Sequence, residues 1–153
     1  MKRQPDFKSE IDTPALIVDL DVLDANIAKM QAFFDGKTAN VRPHFKTHKC
    51  PPIAHRQLAA GAKGVTCAKV GEAEVLVEAG VKDVLIANQV VGEMKIRRLA
   101  ALLRRARITV AADDARNVKD LAAAARGAGS TLGVLVEVDI GMGRCGVAIG
   151  DEL

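Results

Sequence analysis

The 153-residue sequence contains no tryptophan and no tyrosine, and only four phenylalanines. The usual platforms for stacking single-stranded bases are therefore missing, and aliphatic side chains must build the core. Long apolar runs are absent too, since none approaches the roughly 18 residues that a membrane span requires. The opening segment 1–12 is charged rather than signal-like, so the expected location is cytoplasmic, with no membrane partner. Cysteine is sparse. Cys50, Cys67 and Cys145 form neither an even set nor a CxxC pair, which points to free thiols in a reducing compartment and argues against a structural zinc site. One-sided charge is lacking as well: 22 Lys and Arg stand against 19 Asp and Glu, and a net +3 predicts no nucleic-acid partner.

What is present is 49% hydrophobic and 27% charged, the balance of a globular domain rather than a disordered or collagen-like chain. The length suffices for one domain but falls short of the roughly 250 residues of a complete (β/α)8 barrel. Short β-branched runs alternate with Ala- and Leu-rich helical stretches, the pattern of βα units around a parallel sheet. Strands are expected at 15–19, 41–46, 64–68, 84–88, 108–112 and 132–139. Helices are expected over 21–34, 52–60, 72–79, 93–106 and 115–128, with Gly36, Gly61, Gly80 and Gly129 near their ends as left-handed stops. Leu23, Ile27, Met30 and Phe34 make one apolar helical stripe, and Asp21 is the expected N-cap. After the first strand and helix come five strand candidates, and the sequence stops where another helix should begin. On pattern alone a flat doubly wound domain competes with part of a barrel.

Arg42, His44 and Lys46 alternate along one expected strand, and a period of two would turn all three to one face. Burying unpaired charge costs several kcal/mol, so such a row must be paired, working or solvated; Pro43 argues against a regular central strand. On the last strand Leu135, Glu137 and Asp139 share a face, offering acids to balance Arg42, Lys46 and Arg144 at the carboxyl ends of the strands, where α/β folds carry their sites. A lysine near such an end and close to other cations is a candidate for bonding a carbonyl; Lys46 fits, and Lys49 competes with it. The 141–146 run is glycine-rich but matches neither the dinucleotide nor the P-loop fingerprint. His48 and His55 do not make a three-ligand metal set, and Cys50 and Cys67 lack the partners of a nucleophile. Arg97, Arg98, Arg104, Arg105 and Arg107 read as a solvated outer helix face rather than a nucleic-acid site.

Three segments then carry a resemblance: Thr13-Pro14-Ala15-Leu16-Ile17-Val18-Asp19-Leu20, Arg42-Pro43-His44-Phe45-Lys46-Thr47-His48-Lys49-Cys50-Pro51 and Val138-Asp139-Ile140-Gly141-Met142-Gly143-Arg144-Cys145-Gly146-Val147. In this order they resemble the D-threonine aldolase and D-serine dehydratase family of alanine-racemase-like fold type III pyridoxal-phosphate enzymes. The resemblance implies an α/β fold, a partial (β/α)8 TIM barrel of the alanine racemase N-terminal domain type, truncated after about five barrel strands. Residues 1–20 would hold a strand that pairs with a C-terminal β-domain, and 21–153 the N-terminal portion of the cofactor barrel of a longer enzyme. It further implies that Lys46 bonds pyridoxal 5'-phosphate and that Arg144 hydrogen-bonds its ring hydroxyl. Glu137 would support Arg144 where alanine racemases commonly use a carbamylated lysine, and His44 would stand beside the cofactor. The implied activity is a lyase on D-3-hydroxy amino acids, D-threonine aldolase ahead of D-serine dehydratase, with a non-catalytic cofactor-binding barrel as the other class. A divalent metal (manganese, magnesium or zinc) would sit in the C-terminal domain and none in this chain, and the full-length protein would be a homodimer.

Overall fold

The computed structural model describes residues 10–150. Five helices alternate with four strands: α1 Leu20–Phe33, α2 Pro51–Ala59, β1 Val65–Cys67, α3 Val70–Glu78, β2 Asp83–Gln89, α4 Glu93–Leu102, β3 Arg107–Ala112, α5 Ala115–Gly127 and β4 Gly133–Val136. The strands pair in the order β1-β2-β3-β4, all parallel, so α3, α4 and α5 are the crossovers between neighbours, while α1 and α2 precede the first strand. This is the α/β architecture expected, a partial parallel sheet whose strands follow one another in sequence.

Alternation along the strands divides the sheet into two faces. Val84 and Ile86 of β2 and Ile108 and Val110 of β3 are buried, and they join Leu76 of α3, Leu99 of α4 and Leu121 of α5 in one hydrophobic cluster. The opposite face carries Leu85, Thr109 and Gly133 in register across three strands, with Leu135 beside Ala111, and is less covered. With no tryptophan or tyrosine, the core is aliphatic except for Phe45, which is 1% exposed, and the buried Cys67.

The expected strand at 41–46 is reduced to a single parallel bridge, His44 to Thr66, supported by Lys63 N–H donating to Val41 O and Thr66 N–H to Pro43 O. Pro43 has no N–H for a ladder, and the chain turns at once into a 3-10 helix, Phe45–Thr47. Lys46 therefore leaves strand parity, and Arg42 does not share its surroundings. Arg42 Nη1 instead donates to Asp83 Oδ1 at 2.7 Å at the amino-terminal end of β2, with Arg107 4.0 Å from the other carboxylate oxygen. The guanidinium lies across Gly64, where a Cβ would collide with it and stand 2.7 Å from the Asp83 carbonyl oxygen.

No strand forms at 15–19, where Leu16, Ile17 and Val18 are exposed and meet no partner strand. The N-cap of α1 is Asp19, whose side chain accepts from Val22 N–H at 3.0 Å, and not Asp21. Beyond β4 the expected strand to 139 gives way to a loop, closed by a bridge between Val138 and Val147. The arginines of α4 and its exit are largely spent on neighbours: Arg98 pairs with Glu74, Arg105 with Glu78 at 2.8 Å, and Arg104 donates to the Ala128 carbonyl.

Candidate active site

Polar side chains gather in two groups at the carboxyl end of the sheet. The first is built on the 3-10 turn. Phe45 plugs the core and meets His48 edge-to-face at 5.3 Å, which fixes the turn in place. His44 Nδ1 accepts the Lys46 N–H at 3.2 Å, and Thr47 Oγ1 donates to the His44 carbonyl. An accepting Nδ1 requires a neutral ring on that side. Burial, and then the Lys46 charge, hold the His44 pKa below its ordinary value against the opposing pull of Glu72. Glu72 in turn accepts Ala68 N–H at 2.8 Å and faces Lys49 at 3.6 Å. Lys46 is exposed and makes no ion pair among the described residues, whereas Lys49 does.

The second group comes from the ends of β2, β3 and β4, on the less covered face that carries Leu85 and Thr109. Gln89 Nε2 donates to Asp113 Oδ2 at 2.9 Å and to Glu137 Oε2 at 2.7 Å. Cys145 Sγ donates to Glu137 Oε1 at 3.1 Å, and Gly146 N–H donates to Asp113 Oδ2 at 2.9 Å. Both carboxylates are half-buried and are met here by neutral donors. Asp139 turns away from them into its own loop, accepting from Gly141 and Gly143 N–H; those bonds hold its carboxyl below the usual range.

The structure thus has Lys46 beside His44 but on a turn, and Glu137 in a cluster on the less covered face of the sheet. The Arg144–Glu137 pair is not formed: Glu137 is engaged by Gln89 and Cys145, and the exposed Arg144 has no ion pair among the described residues. Among the described residues the two groups share no direct hydrogen bond or ion pair; Asn88 stands between them, accepting Gln89 N–H at 3.0 Å and donating to the Ala68 carbonyl at 3.3 Å. Gln89 and Asp113 were missed. Carrying the strand period one step past the expected ends at 88 and 112 puts both on the same sheet face as Glu137.

The remaining candidates have structural tasks. His48 Nδ1 accepts Cys50 N–H, and His55 Nε2 lies 2.9 Å from the Ala79 carbonyl oxygen. Burial pushes the Cys67 thiol up to about 12, so it is no nucleophile. Among the described residues no three His, Cys, Asp or Glu side chains converge to hold a metal ion, and no helix is long and apolar enough to cross a membrane.

The chain is similar to known proteins in sequence and fold. Residues 18–153 match the family described as alanine racemase, N-terminal domain. A D-threonine aldolase from Arthrobacter sp is 49% identical over 140 residues, and a 3-hydroxy-D-aspartate aldolase from Paracoccus denitrificans is 46% identical over 142; each match takes in 92% of this chain and 37% of the relative. Among solved structures, D-threonine aldolase from Filomicrobium marinum superposes with a TM-score of 0.90 at 54% identity, covering 93% of this chain and 38% of that one. D-threo-3-hydroxyaspartate dehydratase from Delftia sp. HT23 superposes with a TM-score of 0.80 at 36% identity, covering 90% of this chain and 36% of its own. The chain thus spans little more than a third of the length of these relatives.

Proposed function

The chain belongs to the alanine racemase N-terminal domain family, and from that premise we propose that it is the lysine-bearing part of a pyridoxal-phosphate lyase acting on D-3-hydroxy amino acids. D-threonine is the proposed substrate, cleaved to glycine and acetaldehyde. Greater identity to two aldolases (49% and 46%) than to the dehydratase (36%) supports carbon–carbon cleavage over dehydration. The 3-hydroxy-D-aspartate aldolase keeps a β-carboxylated substrate as the second reading.

The observation that carries the proposal is the placement of Lys46: an exposed amine without an ion pair, on a turn that His44 and Phe45 fix at the carboxyl end of a parallel sheet. The donor set fits pyridoxal phosphate, which asks for a free amine to bond its aldehyde and a cation for its ring oxygen; this reading gives those tasks to Lys46 and Arg144, with Lys69, exposed and without an ion pair among the described residues just after β1, as the competing amine. When bound, the cofactor supplies a ring that withdraws electrons from the amino acid's Cα. Lys46 holds the cofactor through Nζ. His44, neutral and accepting from the Lys46 backbone, keeps the turn that presents the amine, and Arg144 donates to the ring hydroxyl. Glu137 adds negative charge near the Arg144 loop through the Cys145 and Gln89 hydrogen bonds.

The same reading assigns 21–153 to the cofactor barrel and 1–20 to a segment whose strand pairs in a second domain; the bare side chains of Leu16, Ile17 and Val18 support this. A divalent metal, manganese, magnesium or zinc, is assigned to the part of the relatives' length that this chain does not span. The complete protein is proposed to be a cytoplasmic homodimer. Borohydride reduction of the complete protein loaded with pyridoxal phosphate, followed by peptide mapping, tests the central assignment. The pyridoxyl mass is expected on Lys46; labelling of Lys49 or Lys69 instead would overturn it.

A further inference from the structure

Asp113 has no task in the function just proposed and Gln89 enters it only through its bond to Glu137, yet together they tie the loop that carries Arg144 to the strand ends. Gln89 spends its amide nitrogen on two anions, Asp113 Oδ2 and Glu137 Oε2, one hydrogen for each. Asp113 Oδ2 also receives Gly146 N–H, which ties the loop after β4 to the end of β3. That loop is closed on itself by Val147 N–H donating to Glu137 O at 2.8 Å and Asp139 N–H donating to Val147 O at 2.9 Å. Inside it, Asp139 Oδ1 gathers the N–H groups of Gly141 and Gly143 at 2.9 and 3.1 Å. Gly146 passes close at φ +100°, and a Cβ there would stand 2.6 Å from Asp139 N. Arg144 sits in this framework with no ion pair among the described residues, so its position is set by the loop's backbone.

We infer that Asp113 and Gln89 are positioning residues for Arg144. They fix the register of loop 139–147 against the strand ends, and with it the point from which the guanidinium reaches the cofactor's ring hydroxyl. The inference rests on the cofactor role proposed for Arg144. Because a single oxygen of Asp113 receives both hydrogens, the tether asks for an acceptor and not for a charge. The carbonyl oxygen of an asparagine meets that requirement.

The test uses the complete protein and four variants: Arg144→Ala, Asp113→Ala, Asp113→Asn and the double variant Arg144→Ala/Asp113→Ala. Each is titrated with pyridoxal phosphate, reading Kd and the absorbance maximum of the bound cofactor, with the thermal midpoint of the unloaded protein measured alongside. Arg144→Ala and Asp113→Ala should each weaken binding about tenfold, the size of one lost charge-assisted hydrogen bond. The double variant should bind no more weakly than Arg144→Ala alone, as expected of groups acting through one another. Asp113→Asn should stay within about twofold of the parent. An unchanged Kd and spectrum in Arg144→Ala would remove the premise and overturn the Arg144 reading. If Arg144→Ala shifts both while Asp113→Ala moves only the thermal midpoint, or if the losses add in the double variant, Arg144 keeps its role and the positioning role is rejected. An Asp113→Asn as defective as Asp113→Ala rejects the acceptor tether. Should Asp113→Ala not fold, Gln89→Met, similar in size and without a donor, enters the same cycle and is read the same way.

Discussion

β3 and β4 lie side by side, paired from Thr109 with Gly133 to Ala112 with Val136, and both are rich in small and β-branched residues. Their surroundings differ completely. Ile108 and Val110 of β3 are 1% and 0% exposed, whereas Val134, Leu135 and Val136 of β4 are 40%, 51% and 61% exposed. β3 has a strand on each side and α5 packed against it, while β4 is a sheet edge among the described residues. The contrast separates two contributions that sequence patterning merges. Backbone pairing is enough to make a strand, but the energy of an apolar side chain comes from what covers it, about 25 cal/mol per Å² removed from water.

The largest test of that contrast is Ile108→Ala. Truncation of a fully packed isoleucine should cost about 2–5 kcal/mol, read from urea unfolding of the 153-residue chain. A smaller effect belongs to the cap of the helix that covers β3. Asp114 accepts from Arg116 and Asn117 N–H at the start of α5, and the Arg116 side chain closes on it. The Arg116 side-chain hydrogen bond, then the Arg116 and Asn117 backbone N–H groups, hold the Asp114 carboxyl well below the usual carboxylate range. A depressed carboxyl contributes stability that is complete above its unfolded pKa of about 3.9 and is lost as the pH falls through the folded value. The thermal midpoint should therefore drop on acidification below about pH 4 more steeply in the parent than in Asp114→Asn, with salt shrinking the gap. The smallest effect is expected at Val136→Ser, within about 0.5 kcal/mol of the parent, because the side chain is already in water. A loss at Val136 comparable to that at Ile108 would show that β4 is covered, and the comparison would break.

Legibility in the sequence followed how local the cause was. The helices begin and end within a few residues of expectation because apolar spacing, caps and glycine stops act over one or two turns. The inner strands were legible for the same reason. The 41–46 segment was not, since Pro43 withholds a ladder donor and His44 Nδ1 captures the Lys46 N–H, turning the chain after one bridge. Arg42 was placed with Lys46 by parity, yet it finds Asp83 41 positions away, a partner that only the assembled sheet brings near. Within the site, Lys46, His44 and Glu137 could be named from the sequence. The hydrogen bonds of Gln89 with Asp113 and Glu137 could not, because they join the ends of three strands in space and leave no spacing to read.

The guanidinium lying across Gly64 has a consequence for how this sequence can drift. That glycine is required for room and not for its backbone angle, because the space a methyl group would fill is already taken by Arg42 and bounded by the Asp83 carbonyl. The three positions are therefore not independent sites of variation. Arg42 cannot be exchanged while Asp83 keeps a carboxylate 2.7 Å from it without leaving Asp83 to the more distant Arg107. Gly64 cannot gain a side chain while Arg42 stays, and the backbone oxygen of residue 83, 2.7 Å from the added carbon, bars one even after the arginine changes. Arg42 and Asp83 are therefore free to vary only together, whereas Gly64 is held by backbone that no substitution at either position removes.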